Sequence, residues 1–204
     1  MERSGITREY RNSAGTQIAA EKRINPTPRE ILAAEGKTIP DVVAPGLKIL
    51  FCGVNPGLYS GATGHHFARP GNRFWRALFQ AGFTPRLLSP YEDSSMLQFG
   101  YGITNVVART TRKADDLKRE ELLSGRKILE AKILKYRPMF PVVLGIDAYR
   151  KAFDRPKAEV GLQSDRIGVT KIWVLPNPSG LNANYQIADL TRLFTELRKA
   201  AVTP

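Results

Sequence analysis

Four short apolar runs alternate with helix-like segments, and this alternation constrains the fold more than any other feature of the sequence. Each run is bounded by turn residues, which is typical of buried strands. The segments between them carry apolar residues at helical spacing. This order predicts an α/β fold with an open, mainly parallel, four-stranded sheet and helices on both faces, in three layers. The predicted strands are residues 47–53, 103–107, 141–145 and 171–175.

The 204 residues suit a single domain. We expect residues 1–43 to form an N-terminal extension, partly disordered because its first 26 residues are polar and mixed in charge, and residues 44–204 to form one folded domain. No apolar stretch approaches the roughly 20 residues of a membrane span, and no secretory signal is visible, so we expect a cytoplasmic protein, nucleoid-associated if bacterial. The single cysteine, Cys52, excludes an internal disulfide and a cysteine-ligated cluster, and its apolar surroundings predict a buried hydrophobe.

The charge distribution favours a polyanionic partner. The formal net charge is +12, and residues 42–204 carry 24 Lys and Arg against 13 Asp and Glu. Between positions 41 and 115 there are eight basic residues and two acids, Glu92 and Asp93. Such a zone indicates nucleic-acid binding more than an evenly solubilising surface.

Two of the predicted strands end in the same kind of turn. LKILFCGV runs into Asn55-Pro56-Gly57, and KIWVLP runs into NPSG at residues 177–180. The carboxyl ends of parallel strands meet at one edge of a sheet, where ligands bind in open α/β folds. We therefore expect Asn55 and Asn177 to share a site.

The glycine-rich stretch 53–64 allows several interpretations. It lacks G-x-x-x-x-G-K-[ST] and G-x-G-x-x-G, so it is neither of the standard nucleotide loops. It remains open as a phosphate cradle, as a plain connection, or as a loop whose backbone approaches a flat ligand, which fits best. His65 and His66 lack the neighbours of a metal site and suit loop or phosphate contacts, or a general base. Phe67 lies off any helical stripe and suits stacking on a planar ligand.

Three segments together resemble the mismatch-specific uracil/thymine DNA glycosylase family, a branch of the uracil-DNA glycosylase superfamily. They are FCGVNPGLYSGATGHHFARPGNRFW, YGITNVVART and WVLPNPSGL, within residues 44–200. The resemblance implies a monofunctional enzyme of base excision repair. It would flip uracil out of double-stranded DNA, from G·U mispairs in the first place and with other modified pyrimidines as further candidates, and hydrolyse the N-glycosidic bond to leave an abasic site. It also implies a monomer that needs no cofactor and no metal.

The resemblance further implies roles for individual residues. Asn55 matches the catalytic asparagine that positions water, and Phe67 matches the aromatic residue that stacks on the flipped base. Ser60 lies where the family gauges the 5-substituent of the base. In the second motif, the matching residues are the asparagine Asn177 and the DNA wedge of Gly180 and Leu181. The arginine expected at position 183 is replaced by Ala183, which bears on the preference for an opposing guanine.

Other site residues follow from chemistry. Backbone N–H groups around Gly57 suit a departing uracil anion, and Arg69 and Arg73 suit flanking phosphates. An asparagine orients water but does not deprotonate it, so we predict that Asp93 activates the water or steadies the sugar cation. The alternative is that Asp93 and Glu92 form a surface pair.

Two other function classes remain open from the sequence. A non-catalytic nucleic-acid-binding domain on the same fold needs phosphate contacts but no pocket for a base, so Asn55, Phe67 and Asn177 argue against it. A nucleotide-dependent enzyme is disfavoured by the missing lysine of the glycine loop.

Overall fold

The centre of the protein is a five-stranded sheet, in a computed structural model that describes residues 25–202. Its strands are β1 (Ile49–Gly53), β2 (Tyr101–Asn105), β3 (Phe140–Leu144), β4 (Gly161–Ile167) and β5 (Thr170–Leu175). They lie in the order β2-β1-β3-β5-β4. The neighbours β2-β1, β1-β3 and β3-β5 are parallel, and β4 is antiparallel to β5 at one edge.

The predicted three-layer α/β class is confirmed, and the predicted strand number is one too low. The four predicted strands are present within about two residues of their expected bounds. The missed strand is β4, whose sequence GLQSDRI is mostly polar and whose residues alternate between half-buried and exposed. An edge strand that carries polar side chains lacks the apolar run of a central strand, so an apolar-run search passes over it.

Six α-helices connect and cover the sheet within the described residues. The first follows the N-cap Thr27, which forms a reciprocal capping box with Glu30. The second lies inside the glycine-rich stretch that the sequence predicted as a loop, and it ends at Gly64 with φ 78°. The helices are α1 (Pro28–Leu32), α2 (Leu58–Thr63), α3 (Phe74–Gln80), α4 (Arg119–Tyr136), α5 (Ile146–Phe153) and α6 (Ile187–Val202), with 3₁₀ segments at Pro90–Phe99 and Ala114–Asp116.

Side chains of β1 alternate between two hydrophobic cores, as the period of a strand requires. Ile49 and Phe51 face a core shared with α3 and α6. Leu50 and Cys52 face the opposite core, shared with α4 and α5. Cys52 is fully buried, and burial raises the pKa of its thiol to about 12, so the prediction of a buried, unreactive hydrophobe is confirmed.

Residues before position 44 also contribute to the packed body. Ala34, Ile39 and Val42 are buried in it. Val42 exchanges two backbone hydrogen bonds with Ile103 of β2, at 2.9 and 2.8 Å. The packed part of the chain therefore extends N-terminal of residue 44. The disorder expected within the first 26 residues falls almost entirely on residues 1–24, which lie outside the described residues. Among the described helices, none combines the length and the apolar character needed to cross a bilayer.

Candidate active site

A cleft of about 700 Å³ opens at the carboxyl ends of the parallel strands. The chain leaves β1 toward α2 and α3 on one face of the sheet, and it leaves the neighbouring β3 toward α5 on the other. Connections that diverge in this way open a crevice between two strands. The asparagine turns after β1 and β5 both line it, as predicted.

The amide of Asn55 is held in one orientation. Its Nδ2 donates to the backbone oxygens of Pro56 at 3.2 Å and Arg109 at 3.1 Å, and to Oγ1 of Thr111 at 2.7 Å. The Thr111 hydroxyl donates its own proton to the Lys113 carbonyl at 2.6 Å, so toward Asn55 it accepts. All three neighbours of Nδ2 are acceptors, which leaves Oδ1 as the part of the amide available to a molecule in the cleft.

Phe67 forms an aromatic wall of the cleft. Its ring is half-buried and stacks on Phe74 with ring centroids 4.1 Å apart and planes 26° from parallel. Its backbone has φ 53°, a left-handed conformation that costs a bulky residue about 1–3 kcal/mol. Such a conformation persists only where the surroundings impose it.

Hydrogen bonds on both sides of Phe67 impose that conformation. The N–H of His66 donates to Oδ2 of Asp93 at 3.0 Å, and the N–H of Ala68 donates to Oγ of Ser60 at 3.1 Å. The Trp75 indole N–H donates to the His66 carbonyl at 3.3 Å. The segment 66–68 is therefore tied to three separate parts of the chain.

Asn105, at the end of β2, faces the ring of Phe67 across Gly53. A methyl group added at Gly53 would lie 2.5 Å from Oδ1 of Asn105 and 3.4 Å from the Phe67 ring. All three residues line the cleft.

His66 sets the orientation of the Asn105 amide. Its Nε2 lies 2.9 Å from the Pro40 carbonyl, so Nε2 carries the proton and donates. Nδ1 is then the acceptor, and Nδ2 of Asn105 approaches it at 3.5 Å, leaving Oδ1 toward Gly53. His66 is 1% exposed, and burial lowers its pKa, which favours this neutral form.

The second asparagine turn carries an exposed apolar tip. Oδ1 of Asn177 accepts from the Ser179 N–H at 3.0 Å, and the Asn177 carbonyl accepts from Nδ2 of Asn182 at 3.0 Å. Leu181, between them, is 66% exposed and lines the cleft. Hydrogen bonds on both sides of Leu181 thus fix the turn, while the Leu181 side chain projects into solvent.

The side chain of Arg73 fixes this turn by hydrogen bonds to its backbone. Its guanidinium donates to the carbonyls of Ser179, Asn182 (2.8 Å) and Tyr185 (2.6 Å). A methyl group on Gly180 would lie 2.6 Å from the Gly71 carbonyl, so a glycine is required where the two loops touch.

A profile of the uracil DNA glycosylase superfamily matches residues 40–200. The chain belongs to the uracil DNA glycosylase superfamily. A solution NMR structure of a protein from Methanosarcina acetivorans, provisionally named a uracil DNA glycosylase, has a similar fold at a TM-score of 0.55. The two chains are 18% identical, and the match covers 80% of this chain and 98% of the other. The general prediction of a glycosylase is supported at the level of the superfamily.

Seven of the ten predicted site residues line the cleft of this superfamily member. The seven are Asn55, Gly57, Ser60, Phe67, Arg69, Asn177 and Leu181. The other three are Gly180, Arg73 and Asp93. Gly180 lies against Gly71, and the guanidinium of Arg73 donates to backbone carbonyls. Asp93 is buried, and its carboxylate binds the His66 N–H and Nδ1 of His65 at 3.3 Å.

The mouth of the cleft carries more positive than negative charge. Its lining includes the cations Arg69, Arg112, Lys113 and Lys151 and the acids Asp115 and Asp147. Arg112 lies 3.5 Å from Glu35, and both side chains are more than half exposed. Exposed cations around a concave site suit the phosphates of a bound strand. No group of three His, Cys, Asp or Glu side chains within residues 25–202 is placed to hold a metal ion.

Sequence reasoning missed Gly53, Asn105 and Thr111. Asn105 had a visible signal, because a polar residue in the otherwise apolar strand end ITNVV must find a partner or face a ligand. Gly53 and Thr111 gave no such signal in the sequence, because their importance comes from the side chains that lie next to them in the folded protein.

Proposed function

We propose that this protein is a monofunctional uracil-DNA glycosylase that acts on duplex DNA, prefers G·U mispairs and leaves an abasic site. The observation that carries the proposal is the fixed amide of Asn55, whose free oxygen faces a cleft that also holds an aromatic wall and a second fixed amide. A base inside a duplex is out of reach, so the uracil must be extruded into the space bordered by Gly53, Phe67 and Asn105, which we call the base slot.

The base slot suits the edge of uracil. Phe67 offers a face for stacking, and Oδ1 of Asn105 offers an acceptor for the N3–H of uracil. Cytosine has a lone pair at N3, which the same oxygen would repel. His66 keeps Asn105 from turning its amide around to accept cytosine, because Nδ2 is engaged with His66.

The reaction is a hydrolysis that needs no co-reactant besides water. The bond between C1′ and N1 breaks with its electron pair on N1, giving a uracil anion and a sugar cation. Water held by Oδ1 of Asn55 adds to C1′ and releases a proton, and the uracil takes up a proton. We assign stabilisation of the anion to the backbone around Gly57, which is exposed in the cleft.

Leu181 is the residue that would fill the gap left by the extruded base. An apolar side chain that is 66% exposed at a braced turn is suited to entering a base stack. Ala183 supplies no group to read the opposite guanine. We therefore assign the preference for G·U to the smaller free energy needed to extrude a mispaired base.

We propose that Asp93 supports catalysis by holding the His65–His66 backbone, and two substitutions separate this role from proton transfer. The amide introduced by Asp93→Asn keeps an acceptor for the His66 N–H, so base release should stay within about threefold of the parent rate. Asp93→Ala should release uracil about tenfold more slowly than the parent, or slower still. This factor corresponds to the free energy of the charge-assisted hydrogen bond that the variant loses. Single-turnover release of uracil measures both. If both variants lose activity equally, Asp93 acts chemically instead.

Arg73→Lys should weaken the second asparagine turn, residues 177–182, which we call the wedge turn, because one ammonium cannot reach three carbonyls at once. We expect the free energy of unfolding to fall by about 1–3 kcal/mol and uracil release from duplex DNA to slow about tenfold or more. Release from single-stranded DNA, which needs no wedge, should fall much less. Arg76→Lys, one helical turn away and exposed, is the matched control and should keep the parent stability. Equal losses on both substrates would show that Arg73 supports the fold alone.

The test of the proposed function is single-turnover cleavage of matched duplexes that differ at one base pair: G·U, A·U, G·T and G·C, with single-stranded uracil alongside. Metal and nucleotide are left out. We expect alkali-labile abasic sites and free uracil from G·U, slower release from A·U, and none from G·C. Tight binding of the G·U duplex without release would favour a non-catalytic DNA-binding domain.

A further inference from the structure

A second cavity lies at the opposite edge of the sheet from the cleft. It has a volume of about 640 Å³ and is formed by the end of α4, the start of β3 and the β4–β5 hairpin. Because β3 and β5 are parallel, this edge holds their amino-terminal ends, whereas the cleft holds their carboxyl ends. A five-residue strand is roughly 16 Å long, so the two sites do not overlap. We call this cavity the basic apolar groove and define it by Leu134, Arg137, Met139, Arg166, Val169 and Lys171.

Three large apolar side chains are exposed in the groove. Val169 is 89% exposed, Leu134 56% and Met139 52%. Val169 and Gly168 form the two-residue turn of the β4–β5 hairpin, a place where glycine, asparagine and aspartate are usual. An apolar cluster of this kind on one concave surface is typical of a binding site rather than of scattered surface residues.

The groove is also positively charged, and one of its cations, Arg166, donates to the Val169 carbonyl at 2.9 Å. Arg137, Arg166 and Lys171 line it, and its lining includes no Asp or Glu. Arg166 and Lys171 lie directly opposite each other in the β4–β5 ladder, an arrangement in which like charges repel. None of the three cations forms an ion pair within residues 25–202. An anion bound between them would relieve this repulsion.

We propose that the basic apolar groove binds a short acidic peptide segment of a partner protein, in which carboxylates flank two or three bulky apolar side chains. The carboxylates would pair with the three cations, and the apolar side chains would cover Leu134, Met139 and Val169. The volume suits a few side chains rather than a folded domain. The partner would be held while the cleft on the other edge remains open to DNA.

Two other occupants fit the groove less well. A nucleic-acid backbone offers phosphates but nothing to cover three exposed aliphatic side chains. A second copy of this chain, packed about a twofold axis, would bring the cations of one groove against those of the other, because a symmetric interface pairs each surface with itself.

Fluorescence anisotropy with a labelled eight-residue peptide, DELDDFLE, tests the proposal on the full-length protein. We expect a Kd on the order of 10–100 µM that rises with salt. The double variant Arg137→Glu, Lys171→Glu should weaken binding at least about tenfold, and Val169→Asp should weaken it about fivefold or more. Lys157→Glu, an exposed charge reversal outside both cavities, is the matched control and should bind as the parent does.

Four results would overturn the proposal. They are absence of peptide binding, equal binding of the basic peptide KKLKKFLK, unchanged affinity in the double variant, and displacement of the peptide by duplex DNA without uracil. Loss of duplex affinity in the double variant would instead make the groove a DNA surface. A concentration-dependent dimer that Val169→Asp abolishes in sedimentation would make it a contact between copies. All variants replace exposed side chains, and thermal unfolding checks that each is folded.

Discussion

Asn55→Ala is expected to slow single-turnover release of uracil from a G·U duplex by about 10²–10³-fold, the usual effect of losing one preorganised polar group at a reacting centre. Affinity for the duplex should stay close to that of the parent, because the hydrogen bonds of the Asn55 amide are to Pro56, Arg109 and Thr111 and not to the wedge turn. The loss should therefore appear in the rate at saturating enzyme rather than in the concentration that gives half-saturation. The measurement is a single-turnover time course at several enzyme concentrations.

Two further variants sharpen this prediction. Asn55→Asp has nearly the same shape but cannot donate to the acceptors around Nδ2, so it should be at least as slow as Asn55→Ala. If the group at position 55 were only a proton acceptor, the carboxylate would be the faster enzyme, and that result would contradict the fixed-amide interpretation. Gln98→Ala, an exposed amide outside the cleft, controls for nonspecific effects of the substitution.

The sheet could be predicted because its central strands are buried on both faces. The stretches ILFCG of β1 and IWVL of β5 are apolar without interruption, since one side chain in two enters each core. The two asparagine turns could be placed at one edge of the sheet because the parallel strands that precede them end together. The edge strand β4 could not, because one of its faces meets solvent and its composition resembles that of a loop.

The parts of the site that escaped prediction depend on pairs that are far apart in sequence. Asn105 is oriented by His66, 39 residues earlier, and the wedge turn is held by Arg73 from more than 100 residues away. A guanidinium near a basic loop looks like a phosphate ligand until the carbonyls that it binds are known. The sequence predicts that Asp93 activates the water or steadies the sugar cation because it is one of two acids in a basic zone, whereas its hydrogen bonds to the His65–His66 segment are visible only in three dimensions.

Gly53→Ala is expected to nearly abolish uracil release while the protein stays folded. The added methyl group would lie 2.5 Å from Oδ1 of Asn105, so the Asn105 amide must leave the position that it now holds beside Gly53. Gly53 does not have positive φ, so alanine fits its backbone, and the cost falls on the slot rather than on the strand. Loss of both the space and the acceptor for N3–H should slow release at least about 100-fold, since misplacement by about 1 Å already has that effect.

The matched control for Gly53→Ala is Gly102→Ala, a glycine of β2 that is more tightly enclosed but lies away from the cleft. A methyl group there would lie 2.5 Å from Cδ1 of Leu47 and 2.7 Å from the backbone oxygen of Val42. Gly102→Ala should lower thermal stability as much as Gly53→Ala or more, yet release uracil at a rate close to that of the parent. If the two variants lose activity in proportion to their loss of stability, crowding in the sheet explains both and the base slot is not where the uracil binds. If only Gly53→Ala loses activity, the space between Phe67 and Asn105 is the space that the flipped base occupies.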